Sequence, residues 1–254
     1  MRLNHLKIGW IMTTKELIRK KIILILLFVI PTVFYTITRI TTTNNLIPFR
    51  LASVSEETFL WIPQRQVALI FIGLAAVGLL SSFLALNLIQ RSTEVNRRII
   101  ICGYRSQEIA LSKLLVLFCV IILVGFYVAA MLLVFFKPIH FLQVAYGFIM
   151  VGFVYGCYGL LVGAVLKGEL EGILFIVLLA NIDVGWLQNP IFYAEALNKT
   201  VIRTLPAFYP SQISIISAFS DHSIMGSVLG GAAYGCLFLF IALLLYWLKM
   251  RKHN

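Results

Sequence analysis

The sequence predicts an all-α integral membrane protein with six transmembrane helices. Of its 254 residues, 61% are hydrophobic and 12% are charged, whereas soluble domains average about 45–50% apolar and about 25% charged residues. The apolar residues also form runs long enough to cross a bilayer, and charged loops separate these runs. We therefore expect a single transmembrane domain that covers residues 1–254.

Residues 1–21 predict an amphipathic helix that lies in the membrane interface. Apolar residues recur there at near-helical spacing with basic residues between them. Such a helix would hold Trp10 at the lipid headgroups and set Lys15 and Arg19 against anionic lipid. The alternative is an ordinary basic flank that only fixes the topology.

Six apolar runs approach the length of about 20 residues that a membrane span requires. The fifth run is the shortest and ends in polar residues. The predicted spans cover residues 22–38, 66–90, 114–136, 142–166, 172–187 and 224–248.

Ionisable groups are nearly absent from the spans, and only Asp183 lies close to an apolar run, near the outer end of the fifth span. Such groups are candidates for function. We expect Asp183 to cap the following turn or to reach water, and contact with a substrate or an ion is the alternative.

The segment between the fifth and sixth spans predicts short external helices that re-enter the membrane. Pro190 can open a short helix at its first position. Pro206 and Pro210 are expected to break the next apolar stretch, and residues 213–219 are too few to span. Irregular backbone at this depth must be buried in protein or line a wet cavity.

Paired glycines at GxxxG spacing occur in the fourth and sixth spans, at 152/156, 159/163, 226/230 and 231/235. Glycine lets helix backbones approach closely within lipid. We interpret these pairs as general helix packing, with a dedicated dimer interface as the alternative.

The loops carry an asymmetric charge. With six spans, 15 Lys and Arg residues fall on the side of both termini and 6 on the other side. The positive-inside rule then puts both termini in the cytoplasm. The basic residues form no single face, which argues against nucleic acid as a partner.

Sequence motifs for chemistry are missing from the chain. It has no GxxxxGK[ST] phosphate loop, no GxSxG and no HExxH motif, and its four histidines lack metal-ligand spacing. We therefore expect no catalytic residue, no metal site and no cofactor on this chain. A membrane-embedded enzyme would need a nucleophile, base or metal set that the spans do not offer.

Residues 91–113 form a charged island between the second and third spans, with five basic and two acidic residues. Gly103 breaks the first helical pattern. Ser106 is expected to cap the next helix, and Glu108 falls in its first turn, where the helix dipole favours an acid. That helix leads directly into the third span, so it could transmit force; the alternative is a plain basic loop.

At these residues the chain resembles the permease subunits of type-2 ABC exporters. The island follows that family's order of an acid, a basic and apolar run, a glycine and a helix, here RSQEIALSK at residues 105–113. Residues 205–210 resemble the proline-containing segment before the family's last span. A glycine-threonine-leucine sequence common in the family is replaced by residues 96–99. The resemblance implies that the island couples to a separate ATPase subunit through Glu94, Arg97, Arg98, Gly103, Tyr104, Arg105, Ser106 and Glu108.

The resemblance further implies two permease chains, identical or different, and a partner ATPase that binds ATP and Mg²⁺. It implies outward movement of a hydrophobic or amphipathic substrate, such as a peptide, a drug or a lipid-like molecule, across the cell membrane by alternating access. A non-transporting membrane assembly or sensor protein is the alternative. A secondary transporter is less favoured, because such proteins need more buried charge.

Overall fold

The computed structural model describes residues 3–51, 59–90, 106–166, 168–189, 192 and 196–251. Within them, six helical segments are long and apolar enough to cross a membrane. The chain is therefore a multi-pass, mainly helical membrane protein, as its composition predicts.

The N-terminal helix is separate from the first span. Helix α1 covers Leu3–Arg19 and α2 covers Lys21–Thr41. Lys20 between them has φ −83° and ψ 63°, values outside the α region, which interrupt the helix at this residue.

The remaining helices follow the predicted spans within a few residues, except at the third span. There the helix already begins at Ser106, so residues 106–113 of the island are continuous with the membrane helix, which ends at Leu132. The fifth span changes from an α-helix into a π-helix. The elements are α3 (Gln64–Gln90), α4 (Ser106–Leu132), α5 (Phe141–Val165), α6 (Glu169–Ala180), the π-helix (Asn181–Leu187), α7 (Lys199–Arg203), α8 (Phe208–Phe219) and α9 (Met225–Arg251).

A β-hairpin between the first two spans departs from the all-α prediction. Strand β1 covers Leu46–Arg50, and the antiparallel β2 covers Phe59–Pro63. Ile47 pairs with Ile62, which is buried. These strands are rich in β-branched and aromatic residues, which favour extended backbone.

Helices α3 and α5 form the centre of the molecule. In the apolar 18-residue stretch of each of these helices, 72% of the residues are buried inside the protein, compared with 22% in α2 and 17% in α9. The outer helices therefore turn most of their apolar surface toward lipid, and the inner pair carries the core.

The inner pair approaches closely at Gly159. A Cβ atom there would stand 2.8 Å from the Cα of Ser82 on α3, and the Ser82 hydroxyl donates to the Tyr155 carbonyl at 2.8 Å. Gly235 of α9 likewise lies against the Phe153 ring of α5. The interpretation of these glycines as helix packing is confirmed, whereas Gly226 faces open space.

Candidate functional site

The charged island is described only at its two ends. Residues 91–105 lie outside the described residues, and with them lie the candidate positions Glu94, Arg97, Arg98, Gly103, Tyr104 and Arg105. The structure describes the last residues of α3 on one side and α4 on the other. The contacts of these two helix ends form the described part of the site.

Two candidate residues stand in the first turn of α4. Ser106 is the first helical residue. The capping position is the residue before the first helical one, so Ser106 lies one position past the cap that the sequence predicts for it. Glu108 lies in the first turn, as predicted, and only 3% of its surface is exposed. Burial of this acid was not foreseen; the positive end of the helix dipole favours a carboxylate there.

Helix α1 packs against the start of α4. A Cβ on Gly9 would stand 2.9 Å from the Ser112 hydroxyl oxygen, so glycine permits this close approach. Thr13 is buried on the same face and donates to the Gly9 carbonyl at 2.9 Å. Leu17 is buried one turn further along. The N-terminal helix thus touches the helix that leaves the island.

A second connection joins the end of α1 to the end of α3. The Lys20 ammonium donates to Glu16 Oε1 at 2.9 Å and to Asn87 Oδ1 at 3.1 Å. From α4, the Lys113 ammonium donates to the Leu88 carbonyl at 3.2 Å. That carbonyl is among the last four of α3, which have no partner within the helix. Polar contacts therefore link α1, α3 and α4 at both ends of the island.

The other face of α1 is exposed and mixes apolar with basic side chains. Trp10 is 45% exposed, and Lys15 and Arg19 are also exposed. Ile11 and Ile18 are exposed between them. Long basic side chains beside apolar ones are a pattern found at membrane interfaces.

A buried polar cluster surrounds Asp183 in the π-helix. Asp183 has no exposed surface, so of the two expected roles, capping the following turn or reaching water, its contacts support the first. The Tyr155 hydroxyl donates to its Oδ2 at 2.7 Å, the Gln188 amide to its Oδ1 at 2.9 Å, and the Ala207 backbone N–H to its Oδ2 at 2.8 Å. No salt bridge to Asp183 occurs in the part of the chain that is described.

This cluster joins three parts of the fold. Tyr155 comes from the central helix α5, and Gln188 belongs to the turn after the π-helix. Ala207 precedes the first residue of α8, where the helix dipole favours a negative group. Asp183 therefore braces the turn that follows it and also caps a helix further along the chain. The π-helix, a rare form often found at functional sites, places its side chain between them.

Helix α8 is a short helix packed deep in the molecule. Its 12 residues are too few to span a bilayer. Its Ser214 backbone N would stand 2.9 Å from a Cβ on Gly147 of α5, and Ser214 and Ser217 are fully buried. Neither serine hydroxyl has a partner in the described part of the chain. A buried half-length helix with polar side chains marks the region where lipid is replaced by protein.

The prolines between the π-helix and α9 occupy different structural positions. Pro206 lies in the turn between α7 and α8. Pro210 lies inside the first turn of α8, so the predicted break in this apolar stretch falls at Pro206 and not at Pro210. The first-turn N–H groups have no acceptor within a helix, and proline loses nothing there. Pro190 lies outside the described residues.

Sequence reasoning found Asp183 but missed Tyr155 and Gln188. Gln188 follows five residues after the acid, which is the only signal the sequence offers for it. Across the described residues, no group of three His, Cys, Asp or Glu side chains could hold a metal ion.

No protein-family model matches this sequence, and no curated protein is significantly similar to it.

Proposed function

We propose that this chain is the membrane-spanning subunit of an ATP-driven exporter of the type-2 ABC class. Two such chains, identical or different, work with separate ATPase subunits that bind ATP and Mg²⁺. The protein lies in the cell membrane with both termini in the cytoplasm. It moves a hydrophobic or amphipathic substrate, such as a peptide, a drug or a lipid-like molecule, outward by alternating access.

The observation that carries this proposal is the attachment of α1 to both ends of the island. Gly9 and Thr13 lie against the start of α4, and Lys20 bonds to Asn87 near the end of α3. A force applied to the island would reach α1, α3 and α4 together. An ATPase docked there could move three elements of the membrane domain at once.

The segment between the fifth and sixth spans gives a second observation in support of the proposed function. Short helices that do not cross the membrane lie between the fifth and sixth spans. The Asp183 cluster ties α8 to α5, one of the two helices that carry the core. A movement of the central helices would therefore be transmitted to the outer segment, as alternating access requires.

The composition of the six spans indicates which class of substrate the protein would carry. Among the described residues of the six spans, Asp183 is a fully buried acid, and its oxygens already accept three hydrogen bonds. The apolar character of the spans favours a hydrophobic or amphipathic substrate over a small inorganic ion.

Photo-crosslinking from the island tests the proposed ATPase partner. A photoreactive benzoylphenylalanine is placed at Tyr104 in the natural host cells, and membranes are irradiated and labelled with azido-ATP. We expect a crosslinked product that carries the nucleotide label. The same amino acid at Trp61, on the hairpin and 68% exposed, is the matched control and should give no nucleotide-labelled product.

Charge reversal sharpens the same test. Arg97→Glu with Arg98→Glu should reduce the labelled product, because it reverses two charges that the proposal assigns to the contact with the ATPase. Lys137→Glu with Lys199→Glu changes the net charge equally on the opposite side and should leave it unchanged. An absence of nucleotide label from Tyr104, in a protein inserted at normal levels, would favour the assembly or sensor alternative.

A further inference from the structure

Helix α8 is buried along most of its length and still carries polar side chains. Residues 210–218 are all buried, and they include Ser211, Gln212, Ser214 and Ser217. A helix that is buried on every side is normally apolar. Polar groups inside a membrane protein are costly and tend to face a water-filled space or a polar partner.

Two of the serine hydroxyls of α8 point away from their own helix. The Ser211 hydroxyl donates to the Phe208 carbonyl at 2.7 Å, which is a common arrangement for serine within a helix. The Ser214 hydroxyl instead lies against Gly147 of α5, at the place that a Cβ would occupy. Ser217 is three residues further on and therefore lies on the same face of α8.

The hydroxyls of Ser214 and Ser217 are fully buried, and neither has a hydrogen-bond partner among the described residues. A buried hydroxyl without a partner destabilises the packing that buries it. Alanine would fill the same space without this cost. A position of α8 in which water reaches the two hydroxyls would therefore be favoured by the serines and disfavoured by alanine.

The C-terminal end of α8 is held to the start of α5 by bonds that water can replace. The backbone N–H groups of Ile139 and His140 donate to the carbonyls of Ala218 and Ser217 at 3.2 and 2.9 Å. The His140 ring also bonds to Asp221, whose side chain is 84% exposed. Because Ile139 and Asp221 are exposed, separation at this end would let water take over these bonds, and their net contribution is small.

The segments on both sides of α8 permit such a movement. Residues 204–207 form a turn before the helix, and residues 220–224 after it have no regular secondary structure. The N-terminal end is fastened more firmly, because the Ala207 N–H donates to the buried Asp183 at 2.8 Å. Short connecting segments of this kind can act as hinges for a rigid helix.

We propose that α8 is a gate that moves away from α5 about its N-terminal end. The movement opens an aqueous entrance lined by Ser214 and Ser217 on α8 and by Gly147 on α5, and the structure shows the closed position. The entrance lies at the end of the molecule opposite the island, because α5 begins there and α8 ends there. The inference does not rest on the transport function proposed above.

Cysteine reactivity tests the gate. Ser217→Cys is introduced into a chain whose four native cysteines are replaced with serine or alanine. Membranes of the natural host cells are broken open, so that a charged methanethiosulfonate reagent reaches both surfaces and native partners remain. We expect Ser217→Cys to react to completion, more slowly than the exposed control His222→Cys. Reaction with or without added ATP supports the gate, and a dependence on ATP bears separately on the proposed function.

A buried serine outside the gate is the negative control. The Ser82 hydroxyl lies between α3 and α5 and donates to the carbonyls of Gly78 and Tyr155. Ser82→Cys should stay unmodified under the same conditions. Equal reaction at positions 82 and 217 would mean that the protein opens as a whole, and it would overturn the gate.

Removal of a single hydroxyl tests the driving force. Ser214→Ala should slow the reaction of Ser217→Cys by about fivefold or more, because the closed position no longer buries a hydroxyl without a partner. Ser211→Ala is the matched control and should leave the rate unchanged, since its hydroxyl already has a partner in the closed position.

The same comparison can be made from the other serine. If Ser217→Cys does not insert at normal levels, Ser214→Cys becomes the probe and Ser217→Ala removes the remaining hydroxyl. Absence of modification at both positions, while His222→Cys reacts, would overturn the proposal. An unchanged rate after Ser214→Ala, or equal slowing by Ser211→Ala, would show that the buried hydroxyls do not favour opening and would also overturn it.

Discussion

Both carboxylate oxygens of Asp183 accept hydrogen bonds. A substitution that turns one of these acceptors into a donor should therefore disrupt the cluster. Asp183→Asn keeps the shape of the side chain but replaces one acceptor oxygen with an NH₂ group. That group would face a donor from Tyr155, Gln188 or Ala207. We expect the free energy of unfolding to fall by about 1–3 kcal/mol, measured as a shift in an SDS-titration unfolding midpoint in mixed micelles.

The matched control for this substitution is Asp221→Asn. Asp221 pairs with His140 at 2.8 Å, but its side chain is 84% exposed, and exposed pairs contribute little. Its free energy of unfolding should stay within about 0.5 kcal/mol of that of the parent protein. Equal stability of the two variants would show that the buried cluster does not fasten α8.

The sequence predicts the role of a single residue best where one chemical property of its side chain determines that role. Asp183 stands out because it is an acid in an apolar run, and its importance can be seen without a structure. Its burial cannot, because the donors come from Tyr155 and Ala207, which are distant in sequence. The burial of Glu108 is hidden for a similar reason, since it depends on how neighbouring helices pack around it.

At the scale of elements, the contact between α3 and α5 gives the next prediction. Gly159→Ala places a methyl group against the Ser82 backbone, which cannot move aside as a flexible side chain would. We expect the two central helices to separate slightly and stability to fall by about 1–3 kcal/mol. Thermal unfolding in mild detergent, followed by loss of helical circular dichroism, measures the change.

Gly226→Ala is the control for this helix contact. It makes the same chemical change in α9, but nothing lies within 4 Å of the added atom. Its melting temperature should match or slightly exceed that of the parent, because alanine favours helix over glycine. An equal loss in both variants would mean that the close contact with Ser82 does not set the effect.

Hydropathy predicts the membrane helices because length and apolar content alone define a span. The same signal does not reveal the π-helix, whose hydrogen-bond shift leaves the composition unchanged. The hairpin is missed because residues 39–65 lack a long period-two pattern, and its register depends on pairs such as Ile47 with Ile62. Pro210 misleads because its effect depends on where the helix begins.

At the scale of the whole molecule, the distribution of basic residues predicts the orientation. The 15 basic residues on the side of the termini and the 6 on the other side give a single consistent assignment for six spans. The proposed coupling depends on this orientation, because an ATPase can reach the island only from the cytoplasm. This orientation predicts that the hairpin faces outward, since it connects the C-terminal end of α2 with the N-terminal end of α3.

Cysteine labelling in intact cells tests this orientation. The four native cysteines are replaced with serine or alanine, and single cysteines are introduced as Trp61→Cys and Arg19→Cys, both at exposed positions. A membrane-impermeant maleimide should label position 61 in intact cells and position 19 only after permeabilisation. The opposite pattern would put the island outside, beyond the reach of ATP, and would rule out the exporter mechanism together with its orientation.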